Sequence, residues 1–229
     1  MLIKTQICLF ILICCVVNSS HSATIQPGDL LISEVMANPS SVSDSNGEWF
    51  ELFNASAISI DINGLTISDD GSNSHHINNG ASLLIAPGAY LVLGRNGELA
   101  DNGGYVADYV YSNFTLSNSL DQIILSDNDN EIVRLNYTGQ PFGASGISAE
   151  LINQLIIPNE SNYRLSQTDQ YGLGDIGTPG SRGAIELVSA STVPVPSAVW
   201  LFVSALFILG RKLKLTNQPL HPIRKYSLC

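Results

Sequence analysis

Three glutamates are the first candidates in this chain for acid–base catalysis. Glu48 and Glu51 lie three positions apart in a run that alternates as a strand, so their side chains point to opposite faces and form no ready acid–base pair. Glu34 lies in another such run and could approach Glu51 across neighbouring strands. We expect a structural polar cluster here, paired with an arginine or with backbone donors, and keep an acidic active site as the alternative.

Oxygen-rich turns are the second candidate. Asp127 and Asp129 lie in the run Asp-Asn-Asp-Asn-Glu, which supplies the oxygen ligands that Ca²⁺ prefers. The run has no glycine at the sixth position of an EF-hand loop, and hairpin turns use the same residues without any ion. A Ca²⁺ site at this pair therefore stands as an alternative to a plain turn, and no other cofactor is expected.

Other catalytic patterns are not found in the sequence. His75 and His76 are adjacent, in what reads as a polar loop, so they lack the spacing of zinc ligands. The chain has neither a Gly-x-Ser-x-Gly nucleophile elbow nor a phosphate-binding glycine loop. We therefore expect a protein that is not an enzyme.

The charges of the chain are segregated. All 20 acidic residues lie between Asp29 and Glu186, where only four arginines and no lysine accompany them, so this stretch has a formal charge of −16. Phosphate neutralisation requires Lys and Arg, so such a surface excludes nucleic acid as a partner. The stretch also has no cysteine, so a packed core rather than disulfides must hold it together.

The sequence around the acidic residues predicts β-strands. Short apolar runs alternate with turn residues at roughly ten-residue spacing, and no window of this acidic stretch has a convincing helical period. Such a pattern predicts an all-β sandwich or barrel. The predicted strands are residues 30–36, 49–54, 65–68, 82–85, 90–94, 106–111, 122–126 and 132–137. Residues 139–186 are looser and richer in Gly and Ser.

The two ends of the chain predict export. Residues 1–22 combine Lys4, an apolar run of about eleven residues and a small-residue end, which is typical of a secretory signal peptide. The body is expected at 23–186, a linker at 187–192, a transmembrane helix within 193–214 and a cytoplasmic tail at 215–229. Arg211, Lys212 and Lys214 form a basic stop after the apolar run, in agreement with the positive-inside rule.

With these elements placed, the body resembles the lamin tail domain, an immunoglobulin-like β-sandwich. The phrases that carry the resemblance lie at 31–39, 47–54, 64–69, 85–93, 118–127 and 177–180, and together they span about residues 30–183. The residues that match the family motif are Glu34, Glu48, Trp49, Glu51 and Asn54. The resemblance implies a non-catalytic module used outside bacterial cells, often beside secreted nucleases or other hydrolases.

The C-terminal segment resembles an exosortase sorting signal of the PEP-CTERM type. The motif Val193-Pro194-Val195-Pro196 precedes an apolar stretch that contains Trp200 and ends at the basic stop. The resemblance implies an exosortase-type enzyme that cleaves near the motif, and an inner-membrane anchor before cleavage. An ordinary single-pass anchor is the alternative.

These observations together predict an exported binding or structural module. It would be displayed at the cell surface or released into an exopolysaccharide matrix, with polysaccharide or matrix proteins as partners. The alternatives are a Ca²⁺-dependent adhesion module and an accessory domain of a secreted hydrolase system.

Overall fold

The computed structural model describes residues 24–128, 130–152, 159–167 and 170–183. The chain divides into two compact units, residues 1–187 and 188–229, and every described residue belongs to the first. The predicted signal peptide, linker, sorting motif, basic stop and tail therefore lie outside the described residues. Among the described residues, no helix is long and apolar enough to cross a bilayer.

The described unit is a two-sheet β-sandwich. A six-stranded sheet has the order β12-β11-β1-β2-β7-β8, a four-stranded sheet has the order β10-β9-β4-β5, and two short ribbons pair β3 with β6 and β13 with β14. All pairs are antiparallel except β7–β8. The strands are β1 Leu30–Met36, β2 Trp49–Asn54, β3 Ile60–Asp61, β4 Thr66–Ser68, β5 Ser74–His76, β6 Leu84–Ile85, β7 Tyr90–Gly94, β8 Tyr109–Val110, β9 Leu120–Asp127, β10 Asn130–Thr138, β11 Ala149–Leu151, β12 Tyr163–Leu165, β13 Gln170–Tyr171 and β14 Asp175–Ile176. Two short helical turns, Asp44–Gly47 and Glu160–Asn162, complete the unit.

The main core lies between the two large sheets. Alternate residues of each strand point inward, so Phe50 and Leu52 of β2 share one apolar cluster with Ile123 and Leu125 of β9. Ile124, between them, is excluded from that cluster. β2, which has bulky residues on both faces, is a central strand of the six-stranded sheet.

A second apolar cluster covers the outer face of the six-stranded sheet. It consists of Met36, Trp49, Val92 and Tyr105, and Tyr171 packs against it. The Trp49 and Tyr171 rings meet edge to face with centroids 6.0 Å apart, and the indole Nε1 donates to the Tyr171 hydroxyl at 3.0 Å. The outer face is therefore buried by the chain that follows β12, and it is the face on which the acidic residues lie.

The strands between residues 30 and 138 agree with the sequence prediction in most places. β1, β2 and β7 have the predicted bounds, whereas the predicted strands 82–85 and 106–111 contract to two residues each. Placing His75 and His76 in a loop was wrong, because both lie on the edge strand β5. The looser stretch after residue 139 contains four further strands, which the sequence missed because each has only two or three residues.

Candidate functional site

Three buried glutamates form a row across the six-stranded sheet. Glu34 of β1 is paired with Glu150 of β11 on one side and with Glu51 of β2 on the other. Directly opposed residues in an antiparallel pair share a face, so the three carboxylates lie side by side. Each of them is only 1% exposed. The approach of Glu34 to Glu51 across neighbouring strands is the one that the sequence led us to expect.

A β-bulge in β1 adds a hydroxyl to this row. The register shifts between Ile32 and Glu34, so both Ser33 and Glu34 lie opposite Glu51. The Ser33 Oγ is 2.6 Å from Glu51 Oε1 and 3.2 Å from the Glu51 carbonyl oxygen. The bulge thus supplies a hydrogen-bond partner to Glu51 from within the sheet.

Residues Gly177–Gly183, which we call the C-terminal latch, cover the row and donate to it. The Thr178 backbone N–H donates to Glu34 Oε1 at 2.8 Å, and its hydroxyl donates to Glu34 Oε2 at 2.5 Å. The Gly180 N–H donates to Glu51 Oε2 at 2.7 Å. The Ser148 hydroxyl adds a further bond to Glu34 Oε1 at 2.5 Å. The donors that pair with Glu34 and Glu51 are therefore mainly backbone amides and hydroxyls.

Glycines let the latch approach this closely. A Cβ added at Gly177 would lie 2.8 Å from Glu34 Oε1, and one at Gly183 would lie 2.5 Å from Glu150 Oε2. Any larger residue at either position would push the latch away from the carboxylates. Glu150 is also paired with the half-exposed Arg164, whose Nε lies 3.4 Å from its Oε1.

Two carboxyls of the row, those of Glu34 and Glu51, have raised pKa values. Burial raises the pKa of Glu34 to about 6, although hydrogen bonds from Ser148 and Thr178 partly offset it. Burial and then the charge of Glu34 raise the pKa of Glu51 to about 9. At neutral pH Glu34 is therefore ionised and Glu51 is protonated. The Ser33 hydroxyl donates to Glu51 Oε1, which offsets only part of the rise in the Glu51 pKa.

Glu48 lies apart from this row. Its Oε2 accepts from Arg95 Nη1 and from the Leu116 N–H, both at 3.2 Å, and the carboxylate is buried. Burial raises its pKa to about 7. The Tyr105 hydroxyl donates to the Glu48 carbonyl at 3.2 Å. Glu48 thus ties the start of β2 to two long loops, and it does not join Glu51, as the strand parity predicted.

The carboxyl groups of the glutamate row have few hydrogen-bonding positions left for a substrate. The oxygens of Glu34 and Glu51 are occupied by donors of the latch, of Ser148 and of Ser33, under a layer of backbone. A general base must reach a substrate proton within hydrogen-bond distance, and these carboxylates are covered by their own chain. The row can fix the C-terminal segment against the sheet, and this is what it does in the structure.

The comparison with known families agrees with this sandwich. The sequence model of the Lamin Tail Domain family matches residues 23–139, just over half of the chain. This chain belongs to the lamin tail domain family. No curated protein and no solved structure matches it significantly. The family match ends at residue 139, so β11–β14 and the latch complete this lamin tail domain beyond the matched part.

The remaining motif residues of the lamin tail domain also serve its packing. Asn54 is buried, and its Nδ2 donates to the carbonyls of Ile58 and Ile85, both at 2.7 Å. Its Oδ1 accepts from the Ser56 N–H at 2.9 Å. Trp49 is held by Tyr171, as described above. Each motif residue therefore fixes a loop or the C-terminal segment to β1 or to β2.

The candidate Ca²⁺ residues lie on a hairpin, away from the glutamate row. Asp127 ends β9 and pairs with Asn130 of β10, and its Oδ1 accepts from the Asn128 side chain at 2.9 Å. Asn128 has a φ of 51°, which suits a tight hairpin turn. Asp129 lies outside the described residues. Within the described ranges, no group of three or more His, Cys, Asp or Glu could hold a metal ion.

His75 was missed as a structural residue. Its Nε2 lies 2.9 Å from the Tyr109 hydroxyl, and its Nδ1 accepts from the Ser112 N–H at 3.2 Å. His75 lies on an edge strand of the four-stranded sheet and Tyr109 on an edge strand of the six-stranded sheet, so the imidazole joins the two sheets. No sequence signal could have found this contact, because it joins strands 34 positions apart.

Proposed function

We propose that this lamin tail domain is an exported, non-catalytic binding or structural module that works at the cell surface or in an exopolysaccharide matrix. The observation that carries the proposal is the glutamate row. The acidic residues best placed for chemistry are buried and hydrogen-bonded to the latch, so they serve the fold. Binding is then left to loops, strand edges and surface grooves.

The ends of the sequence support the delivery route. The apolar start and the sorting motif at Val193–Pro196, with Trp200 and the basic stop, support secretion followed by exosortase-type processing. The charge of the body supports the same direction of export, since its surface is acidic and has no lysine. Exopolysaccharide or matrix proteins are the partners that this route implies.

Intact-mass analysis of the protein recovered from its native envelope and culture medium tests the proposal. We expect a mature species that starts near residue 23 and ends near residues 194–197, with any added carbohydrate visible as extra mass. Full-length protein in the cytosol with both ends uncut would overturn the route. An anchored species cut only at its N-terminus would favour the ordinary single-pass anchor.

A catalytic assay tests the other half of the proposal. Purified protein is expected to show no turnover of nucleic acid, glycan or ester substrates. Turnover that disappears in Glu34→Gln or Glu51→Gln variants, while both variants stay folded, would mean that the row is an active site. Turnover that survives in both variants would point to a contaminant or to a site elsewhere.

A further inference from the structure

An open groove lies at the N-terminal side of the sandwich, away from the glutamate row. It has a volume of about 750 Å³, which is in the range of ligand sites. Its walls come from the residues before β1, from β3 and β6, and from the end of β9 at Asp127. The groove therefore joins parts of the chain that are distant in sequence.

The groove has an aliphatic floor that the domain leaves uncovered. Leu84 is 60% exposed and Ile58 is 50% exposed, and the half-buried Ile25 lies beside them. A lone exposed aliphatic residue is ordinary, but three around one concavity make an apolar patch. No aromatic side chain lines the groove among the described residues, so it offers no flat platform for stacking a ring.

The charged side chains at the rim of the groove are negative. Asp29, Asp61 and Asp127 line it, and no lysine or arginine does so within the described ranges. Burial alone would raise the pKa of Asp61, but hydrogen bonds from the Asn63 and Leu83 amides outweigh burial and lower that pKa. Asp61 therefore remains ionised through the ordinary pH range. The groove pairs aliphatic surface with anionic surface.

We propose that this groove docks an extended peptide segment that carries alternating aliphatic and basic side chains, supplied by a partner protein. The aliphatic side chains of the segment would cover Leu84 and Ile58, and its Lys or Arg side chains would meet the three aspartates. The proposal rests on the proposed function, in that the domain is a binding module, and it names the surface and the chemistry of the partner.

Binding of short labelled peptides to the purified full-length protein tests the groove. The probe is an eight-residue peptide of alternating Leu and Lys, compared with Leu–Glu and Ser–Lys peptides and with a cationic glycan, a chitosan oligosaccharide. We expect the Leu–Lys peptide to bind about tenfold or more tightly than any of the others. Equal binding of the Ser–Lys peptide would show that general acidity suffices, and tighter binding of the glycan would replace the peptide as partner; either result overturns the proposal.

Matched variants localise the binding. Leu84→Ser is expected to weaken the Leu–Lys peptide about tenfold, whereas Leu173→Ser, at a residue that is 63% exposed elsewhere, leaves the affinity unchanged. Asp127→Asn is expected to reduce the salt dependence of binding, and Asp101→Asn, exposed on another loop, is not. The proposal is refuted if Leu84→Ser and Leu173→Ser behave alike.

A truncation separates a partner from the chain itself. Residues 211–229 contain five basic residues and no acidic ones, so this tail is a possible competitor for the groove. Unchanged peptide affinity after its removal supports an external partner, and increased affinity would make the tail the occupant and overturn the proposal. The mass analysis of the mature ends is independent of this result, so failure of the groove and failure of the export route are distinguishable.

Discussion

The raised pKa of Glu51 predicts that the free energy of unfolding falls as pH rises. Its pKa is raised by burial and by the charge of Glu34 to about 9 in the folded protein, against an ordinary value of 4.5. Between these two values the folded state binds a proton that the unfolded state has released. Stability is therefore highest at low pH within this window and falls as pH rises, by about 1.4 kcal/mol per pH unit for one proton.

Replacing this residue by its uncharged isostere tests the assignment. Glutamine resembles the protonated acid: its amide N–H₂ can donate to Ser33 and its oxygen can accept from the Gly180 N–H. Glu51→Gln is expected to match the free energy of unfolding of wild type within about 1 kcal/mol near pH 4.5, because no bond is lost. At pH 7 the unfolded wild type has released this proton and the folded protein has not, so wild type has lost about 3 kcal/mol of stability that the variant keeps. This advantage of the variant should grow up to about pH 9, where folded wild type also loses the proton, and then level off.

Glu34→Gln is the matched control. Glu34 is ionised at pH 7.5 and accepts three hydrogen bonds, two of them from Thr178 and one from Ser148. Its pKa of about 6 means that the folded state prefers the protonated acid only below that pH. The neutral amide weakens charge-assisted bonds and presents a donor to donors, so we expect a loss of about 1.5–3 kcal/mol at pH 7.5.

Urea unfolding of the purified protein and both variants, measured from pH 5.5 to 9.5, gives the answer. The expected pattern is a falling curve for wild type, a flatter curve for Glu51→Gln and a lowered curve for Glu34→Gln. A wild-type curve without slope between pH 6 and 9 would refute the protonation of Glu51. Equal destabilisation of the two variants at pH 7.5 would refute the different charge states of the pair.

Four further measurements test other parts of the structure. Leu52 and Leu125 are fully buried between the sheets, so Leu52→Ala and Leu125→Ala should each lower the free energy of unfolding by about 2–5 kcal/mol in a urea titration. Leu173 is exposed, and Leu173→Ala should change that free energy by less than about 0.5 kcal/mol. Thr178→Val removes the hydroxyl that donates to the ionised Glu34, so it should lower the free energy of unfolding by about 1.5–3 kcal/mol near pH 7.5. The loss should be smaller at pH 5, where Glu34 is protonated, and thermal melting at the two pH values checks this. Burial lowers the pKa of His75, so its imidazole resonances in a nuclear magnetic resonance titration should have a midpoint below 6.5, and a midpoint at or above that value would contradict the contacts with Ser112 and Tyr109. Millimolar Ca²⁺ should leave the melting temperature unchanged in wild type and in Asp127→Asn alike, whereas a rise in wild type alone would support the Ca²⁺-dependent alternative.

The sequence predicted the β-sandwich because its longer strands depend on local pattern. β1, β2 and β7 are mainly apolar runs of five to seven residues bounded by turns, and the structure gives them the predicted bounds. The approach of Glu34 to Glu51 was expected because each lies in a predicted strand, and the structure shows the two residues directly paired. The family expectation was confirmed over residues 23–139.

The partners of the glutamates could not be predicted in the same way. Thr178 and Gly180 lie 144 and 129 positions away from the carboxylates they bond, so no local pattern relates them. β11 to β14 have only two or three residues, too few to show a period, and they form because longer strands or a neighbouring ribbon strand pair with them. The pKa of Glu51 depends on this same covering, since an uncovered carboxylate would be solvated.

The position of the latch also governs how the domain responds to mechanical force. Tension applied to the chain beyond Gly183 reaches the bonds of Gly180 and Thr178 before it reaches any strand of the six-stranded sheet, because these bonds come first along the polypeptide. The latch would peel away from Glu51 and Glu34 before the backbone pairing of β1 with β2 is broken. Such a domain, pulled from its C-terminal side, would yield at its edge and keep its two-sheet core.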